Sequence, residues 1–295
     1  MTARTAAAVA GSRRSGYADH MLDLAGTDTQ LQRARGRAEV TLASRDGKTV
    51  VADLAQEGAA KAFLPKVHGG QAEVVFLNTA GGLAGGDRHD LSLSIGPGTA
   101  AVATTQTAER AYRSLSAPAE VNVTLRVGAG ARVDWLPQET ILYHAASLDR
   151  RTHVELAESA FVLLAETIFL GRIAMGETVT RLHLADRREV FVQGRPVWVD
   201  RLGLGTETLD PRPALLDGAR AFATVALIGK GAEDALGPLH AALGGCDGIR
   251  AAASGWDGKC ILRLTGYRGM DVKRAVAVAA TVLRQGAPLP RVWQR

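Results

Sequence analysis

Period-two alternation of apolar side chains recurs along most of this 295-residue chain, and it restricts the fold more than any other feature. Val121, Val123, Leu125 and Val127 alternate with polar neighbours, as do Leu91, Leu93 and Ile95, and Thr152, Val154 and Leu156. Val133 and Trp135 continue the pattern, and the pairs Leu182/Leu184, Val190/Val192 and Val197/Val199 mark three further short strands. A strand sends successive side chains to opposite faces, so the pattern describes half-buried sheet. Residues 161–164, Phe-Val-Leu-Leu, read as a strand buried on both sides. Turns separate the runs at Gly96-Pro97-Gly98 and Gly128-Ala129-Gly130. Asp46-Gly47 predicts a tight type I′ hairpin. No helical segments alternate with these strands, which argues for an all-β body rather than a nucleotide-binding α/β fold. Periodicity alone suggests a sandwich or barrel.

The last third reads differently. Residues 213–223 and 232–243 have helical spacing, the second with Leu236, Leu239, His240 and Leu243 on one face. Residues 224–228 and 259–265 read as strands. Asp271 is placed to cap a helix over 272–285 whose apolar face is Val272, Val276, Ala279 and Leu283, with Gly286 as its stop.

The stretch 71–94 holds the most distinctive local chemistry. An apolar run, Val74 to Leu77, leads into Gly81-Gly82 and Gly85-Gly86, then Asp87-Arg88-His89-Asp90 and a second strand. The glycine spacing matches no dinucleotide fingerprint, and no Gly-Lys-Ser/Thr is present for a phosphate loop. On residues alone the stretch reads as a tight structural hairpin.

Other function classes lack their marks. No G-x-S-x-G exists, and none of the seven histidines falls in H-x-H or H-E-x-x-H. Cys246 and Cys260 match no zinc spacing and suit a reducing compartment, with Cys260 expected in a buried strand. The net charge of +5 comes mostly from arginine, without charge blocks or interleaved aromatics, so neither nucleic acid nor membrane is expected as a partner. No apolar run is long enough for a transmembrane helix. Arg13-Arg14 lacks the apolar region of an export signal, and residues 1–20 read as a disordered basic tail.

Three acidic residues stand in apolar surroundings: Asp87 after the glycines, Glu139 beside Pro137-Gln138, and Glu166 inside the run 161–170. A carboxylate there costs several kcal/mol unless paired or hydrated. Two readings are open: pairing with an arginine such as Arg88 or Arg172, or lining a watered passage for a cation.

Residues 80–114, followed by VDWLPQETILYHAA (133–146) and AETIFLGRIAMGE (165–177), resemble the urease accessory protein family UreD, also called UreH. The GG-x-x-GGD segment, the Thr-Thr before Tyr-Arg-Ser and W-L-P-Q-E-T occur here in that family's order. The resemblance spans roughly 31–204 and is weaker beyond. It implies a mainly β fold of helically stacked sheets, a solenoid-like body with a few α-helices in the C-terminal third. With no fixed-period repeat, low-complexity linker or sharp boundary in the chain, residues 21–295 are expected to form one UreD-like β-rich domain with an α/β portion from about 206.

The resemblance also implies a cytoplasmic, non-enzymatic scaffold for nickel insertion into urease. Such a scaffold works with UreF, through UreF with the GTPase UreG, and with the urease apoprotein. No tightly bound cofactor is implied; Ni²⁺ is transient cargo. Asp87, Glu139 and Glu166 are then candidates for the nickel passage, and Thr105, Tyr112 and Arg113 for partner contact, within a region that also holds Thr104, Glu109 and Ser114. A general β-rich interaction or nucleic-acid-binding module, or an unrecognised hydrolase, remains the alternative.

Overall fold

The first two strands, β1 (Arg35–Arg45) and β2 (Lys48–Gly58), form the expected hairpin. Asp46 and Gly47 have φ of 52° and 70°, the two positive angles a type I′ turn requires. The computed structural model describes residues 32–66, 71–115, 117–212 and 215–294. The basic tail expected over 1–20, and the expected domain start at 21, lie outside them.

From β2 the chain crosses to a second sheet with β3 (Ala60–Phe63) and β4 (Ala72–Asn78), which pair antiparallel. It returns to the first sheet as β5 (Arg88–Ile95), parallel to β1. After that it alternates between sheets. β6 (Ala100–Thr105) lies in the second. The short β7 (Glu109–Ala111) precedes β8 (Ala119–Val127) in the first and β9 (Arg132–Trp135) in the second. The short β10 (Thr140–Leu142) then leads to β11 (Ser147–Leu156) in the first and β12 (Phe161–Leu170) in the second. β13 (His183–Val192) returns to the first. Like layers pair in parallel, β1-β5-β8-β11-β13 in one sheet and β4-β6-β9-β12 in the other. Each coil therefore gives one strand to each layer, which is the solenoid-like stacking implied by the resemblance. The sandwich or barrel suggested by periodicity gives way to it.

The far end closes with antiparallel strands. β14 (Arg195–Leu204) turns back on β13 through Gln193-Gly194, again with two positive φ angles, 49° and 74°. β15 (Ala221–Ile228), β16 (Ile249–Trp256) and β17 (Lys259–Gly266) extend the second sheet. Helices α1 (Leu236–Leu243) and α2 (Gly269–Leu283) cover the outer face of that sheet.

Two apolar layers follow from this stacking. Between the sheets lie Val40, Leu93, Leu125, Val154 and Val190 from one side and Phe76, Val133, Trp135 and Leu164 from the other. Between the second sheet and the helices lie Val225, Leu227, Leu262 and Leu264 against Val272, Val276, Ala279 and Leu283. Fully burying such side chains contributes about 1.5–3 kcal/mol each. β12 and β15 are covered on both faces, which explains their unbroken apolar runs.

Several local expectations change. The glycine stretch is not a hairpin, because β4 and β5 belong to different sheets and the loop crosses between them. The three short strands expected over 182–199 are two ten-residue strands of one hairpin. Within 213–223 the described residues form a turn and then β15, not a helix. In β1 the side chains of Arg35 and Arg37 are exposed, while Ala38 and Val40 point into the core. His240 is exposed rather than part of a buried helix face. Asp271 lies inside the first turn of α2 and Arg268 occupies the N-cap position.

Candidate functional site

Strand β11 points Leu148, Arg150, Thr152 and Val154 into the space between the sheets, and β13 does the same with Leu184, Asp186, Arg188 and Val190. Register sets Arg150 opposite Asp186 and Arg188 opposite Asp200 of β14. From the other sheet, Glu166 of β12 reaches Arg150 Nη1 at 2.7 Å. Arg150 also grips Asp186 with Nε at 3.0 Å and Nη2 at 2.8 Å. Arg188 bridges Asp186 at 3.4 Å and Asp200 at 3.1 Å, and Arg263 of β17 closes the row on Asp200 at 2.5 Å. Three carboxylates and three guanidiniums thus cross the interior, ending at Arg263, which is half exposed. The Trp135 indole N–H donates to Glu166 Oε1 at 3.0 Å.

Burial pushes the Glu166 carboxyl above its ordinary range, with Arg150 acting against it. Burial also disfavours ionised Asp186, yet Arg150 and Arg188 together hold it below the usual range. Ionised groups this deep persist only when paired this closely.

Beside the row lies a cavity of about 110 Å³. Phe76, Leu83, Leu91, Val121 and Trp135 supply its apolar wall, and Asn78, His89, Thr105, Glu109, Gln138, Arg150 and Glu166 its polar one. The volume suits several waters at roughly 10–15 Å³ each. Two buried nitrogens on its wall, His89 Nε2 and Gln138 Nε2, have no hydrogen-bond partner among the described residues. Burial lowers the His89 pKa against the pull of Asp87 and Asp90.

Among the described residues no cation forms an ion pair with Glu109. Burial raises its pKa from 4.5 to about 7, with the Asn78 amide and its hydrogen bond from the Arg110 N–H opposing. Because the folded pKa exceeds the unfolded one, Glu109 leaves stability intact below about pH 4.5. As pH rises from about 4.5 to about 7 that contribution is lost, and above the folded pKa the cost of the ionised group stays constant. Glu109→Gln is therefore expected to leave the melting temperature unchanged at pH 4.5 but raise it at pH 8. The gain is roughly 1–3 kcal/mol, read from denaturation at the two pH values.

The carboxylates expected to line a passage do not gather in one place. Glu166 lines the cavity, whereas Asp87 and Glu139 do not. Asp87 accepts the Ala34 N–H on Oδ1 and the Ala84 N–H on Oδ2, both at 2.8 Å, tying the glycine loop to the chain just before β1. Glu139 pairs with Lys273 of α2 at 2.7 Å. The arginines expected as partners are engaged elsewhere: Arg88 with Asp90 and Glu120, Arg172 with Glu177.

The residues expected at a partner surface also divide. Thr105 accepts the Gln138 N–H and lines the cavity. Tyr112 donates its hydroxyl to the Gly81 carbonyl at 3.0 Å, and its ring meets Tyr143 edge-on. Arg113 is exposed. The glycines let these pieces close up, since a Cβ on Gly82 would strike the Tyr112 ring and one on Gly85 the Ser114 hydroxyl.

Sequence reasoning missed Arg150, Asp186, Arg188 and the cavity role of Glu109. One signal was available: Arg150 stands on the inward side of the Thr152-Val154-Leu156 alternation, where a charge demands a partner. Among the described residues no three of His, Cys, Asp and Glu stand close enough to hold a metal ion together. His20 and His68 lie outside those residues. Both cysteines are free, and Cys260 is buried on β17. No described helix is long and apolar enough to cross a membrane.

Comparison with known proteins bears on this geometry. A family model described as UreD urease accessory protein matches residues 34–294. The chain is 52% identical over 266 residues to a "Urease accessory protein UreD" of Cereibacter sphaeroides, covering 90% of this chain and 96% of the relative. It is 50% identical over 267 residues to the protein of that name from Paracoccus denitrificans, covering 90% and 94%. Against the Rhizobium leguminosarum bv. trifolii protein the identity is 43% over 272 residues, covering 92% and 98%.

Proposed function

The chain belongs to the UreD family of urease accessory proteins, with a role in urease maturation, and from that premise we propose that it is a non-catalytic cytoplasmic scaffold for nickel insertion. It binds the urease apoprotein and UreF, and through UreF the GTPase UreG. The absence of a phosphate-loop motif from its sequence fits a division in which GTP chemistry belongs to the partner. The nickel ion is cargo, passing through the hydrated interior beside Glu166.

The observation that carries the proposal is the cavity between the sheets, where Glu166 and Glu109 meet unpartnered polar nitrogens inside a closely packed β frame. Oxygen donors in small number attract a divalent ion without the grip of clustered imidazoles or thiolates, which suits transit. Of the three carboxylates first considered, Glu166 borders this space, and Asp87 and Glu139 hold its surroundings in place.

The test is nickel per active site in urease matured with Glu166→Gln or Glu109→Gln in place of the wild-type chain. The expected result is a several-fold fall for Glu166→Gln while the complex with UreF and urease still elutes intact. A folded Glu166→Gln protein that loads urease with the normal nickel content would remove the passage from the proposal.

A further inference from the structure

We propose that the groove between Arg113 and Arg181 docks an acidic segment of a protein partner that also carries apolar side chains. This rests on the scaffold reading above and deepens it by naming the chemistry of the surface that the partner presents. The groove holds about 340 Å³ and is walled by Arg113, Leu115, Arg181 and Leu182. Its two sides are joined through the backbone: Ser114 N–H donates to the Ala145 carbonyl at 3.0 Å, and Ala145 N–H to the Arg181 carbonyl at 2.7 Å. The two guanidiniums therefore start from fixed main-chain positions.

Neither Arg113 nor Arg181 forms an ion pair or side-chain hydrogen bond among the described residues. The acids nearby are already engaged. Asp149 meets His183 at 2.9 Å, and Glu177 accepts from Arg172 at 2.9 Å. The groove thus offers two uncompensated cations, and complementary charge must come from outside.

The rim carries the second half of the argument. Leu115 and Met175, at 72% and 75% exposure, are the most exposed large apolar side chains among the described residues. Leu115 borders the groove itself. Met175 stands in the turn after Arg172, whose carbonyl accepts its N–H at 2.9 Å. The Arg172 guanidinium lies over the Tyr143 ring at 4.4 Å, and Tyr143 meets Tyr112, the neighbour of Arg113, edge-on at 5.2 Å. A phosphate polymer would satisfy the arginines and leave both aliphatic groups wet. A protein segment carrying carboxylates and apolar side chains covers both kinds of surface, and arginines in the groove with Tyr112 next to Arg113 match the make-up of energetic interface anchors.

The experiment measures binding of the full-length chain to purified UreF and to purified apo-urease separately, at low and high salt. The double variant Arg113→Glu/Arg181→Glu is expected to lose roughly tenfold or more in affinity for one of the two. The wild type should weaken toward that partner as salt rises, and Arg113→Lys/Arg181→Lys should retain most of its affinity. Arg113→Gln/Arg181→Gln repeats the test without charge reversal should the first variant fail to fold. The proposal is overturned if either folded variant binds both partners within twofold of wild type. It is equally overturned if single-stranded DNA or anionic vesicles bind the wild type as tightly as the proteins do and are lost with the same two arginines. A chain that matures urease normally yet shows no loss in these variants leaves the scaffold reading standing and removes this one. A wild type that binds neither protein removes both.

Discussion

Arg150→Ala should destabilise the protein by about 3–5 kcal/mol, the usual cost of breaking a buried ion pair from one side. For a domain of this size that corresponds to a melting temperature roughly 10 °C lower. Arg150 holds two carboxylates at once, Glu166 at 2.7 Å and Asp186 at 2.8 Å, and side-chain exposure is 7%, 4% and 0% across the three. Removing the guanidinium leaves, among the described residues, the Trp135 N–H as the close donor to Glu166 and Arg188 as the ion partner of Asp186. A cavity of guanidinium size adds to the penalty.

The two carboxylates respond to acid in opposite senses. The folded pKa of Asp186 is depressed, so its contribution is present above its unfolded pKa and fades as pH falls through the folded one. The folded pKa of Glu166 is raised, so its share is complete at low pH and fades as pH rises. Lowering the pH should therefore relieve the Glu166 half of the Arg150→Ala defect first. Calorimetric melts of Arg150→Ala against Arg150→Met/Glu166→Gln/Asp186→Asn check the mechanism. The triple variant removes the unpaired charges and should recover part of the lost stability. If the single variant melts within 2 °C or so of wild type, the row does not hold the sheets together.

Asp87→Ala is expected to cost about 2–4 kcal/mol, because it strips acceptors from two backbone N–H groups at once. Both bonds are 2.8 Å long, and they join the glycine crossover to the residues that lead into β1. Asp87→Asn separates a structural role from a role in ion passage. It keeps one acceptor but turns its own N–H₂ toward the second backbone donor, so the loss should persist at about half the size. Hydrogen exchange at the Ala34 and Ala84 amides should accelerate in both variants. An Asn variant with wild-type stability and exchange but poorly loaded urease would return Asp87 to the nickel path.

Much of the body was legible in the residues. Alternation at 121–127 and 152–156 marked β8 and β11, and Asp46-Gly47 marked the first hairpin down to its turn type. Those signals are local: a strand's two faces and a turn's two positive φ angles are written within a few residues. The ordered motifs from Gly81 to Glu177 carried the family resemblance, and from it came the stacked architecture that alternation alone does not imply. Asp87, Glu139 and Glu166 were legible as acids in apolar surroundings, since burying an ionised group demands compensation wherever it sits.

What compensates them was decided only by the tertiary structure. Period two is the same for parallel and antiparallel strands, so nothing local told that β5 pairs with β1 and leaves β4 in the other sheet. The pairing of Arg150 with Asp186 spans 36 residues and that of Arg263 with Asp200 spans 63. Each exists because coil stacking sets the register of strands far apart in the chain. The sequence by itself determined that this chain makes strands, turns and buried acids. Which acid meets a guanidinium, which meets backbone N–H groups and which faces a cavity follows from how the coils stack, because a charge's partner is set by distance in space and not by spacing along the chain.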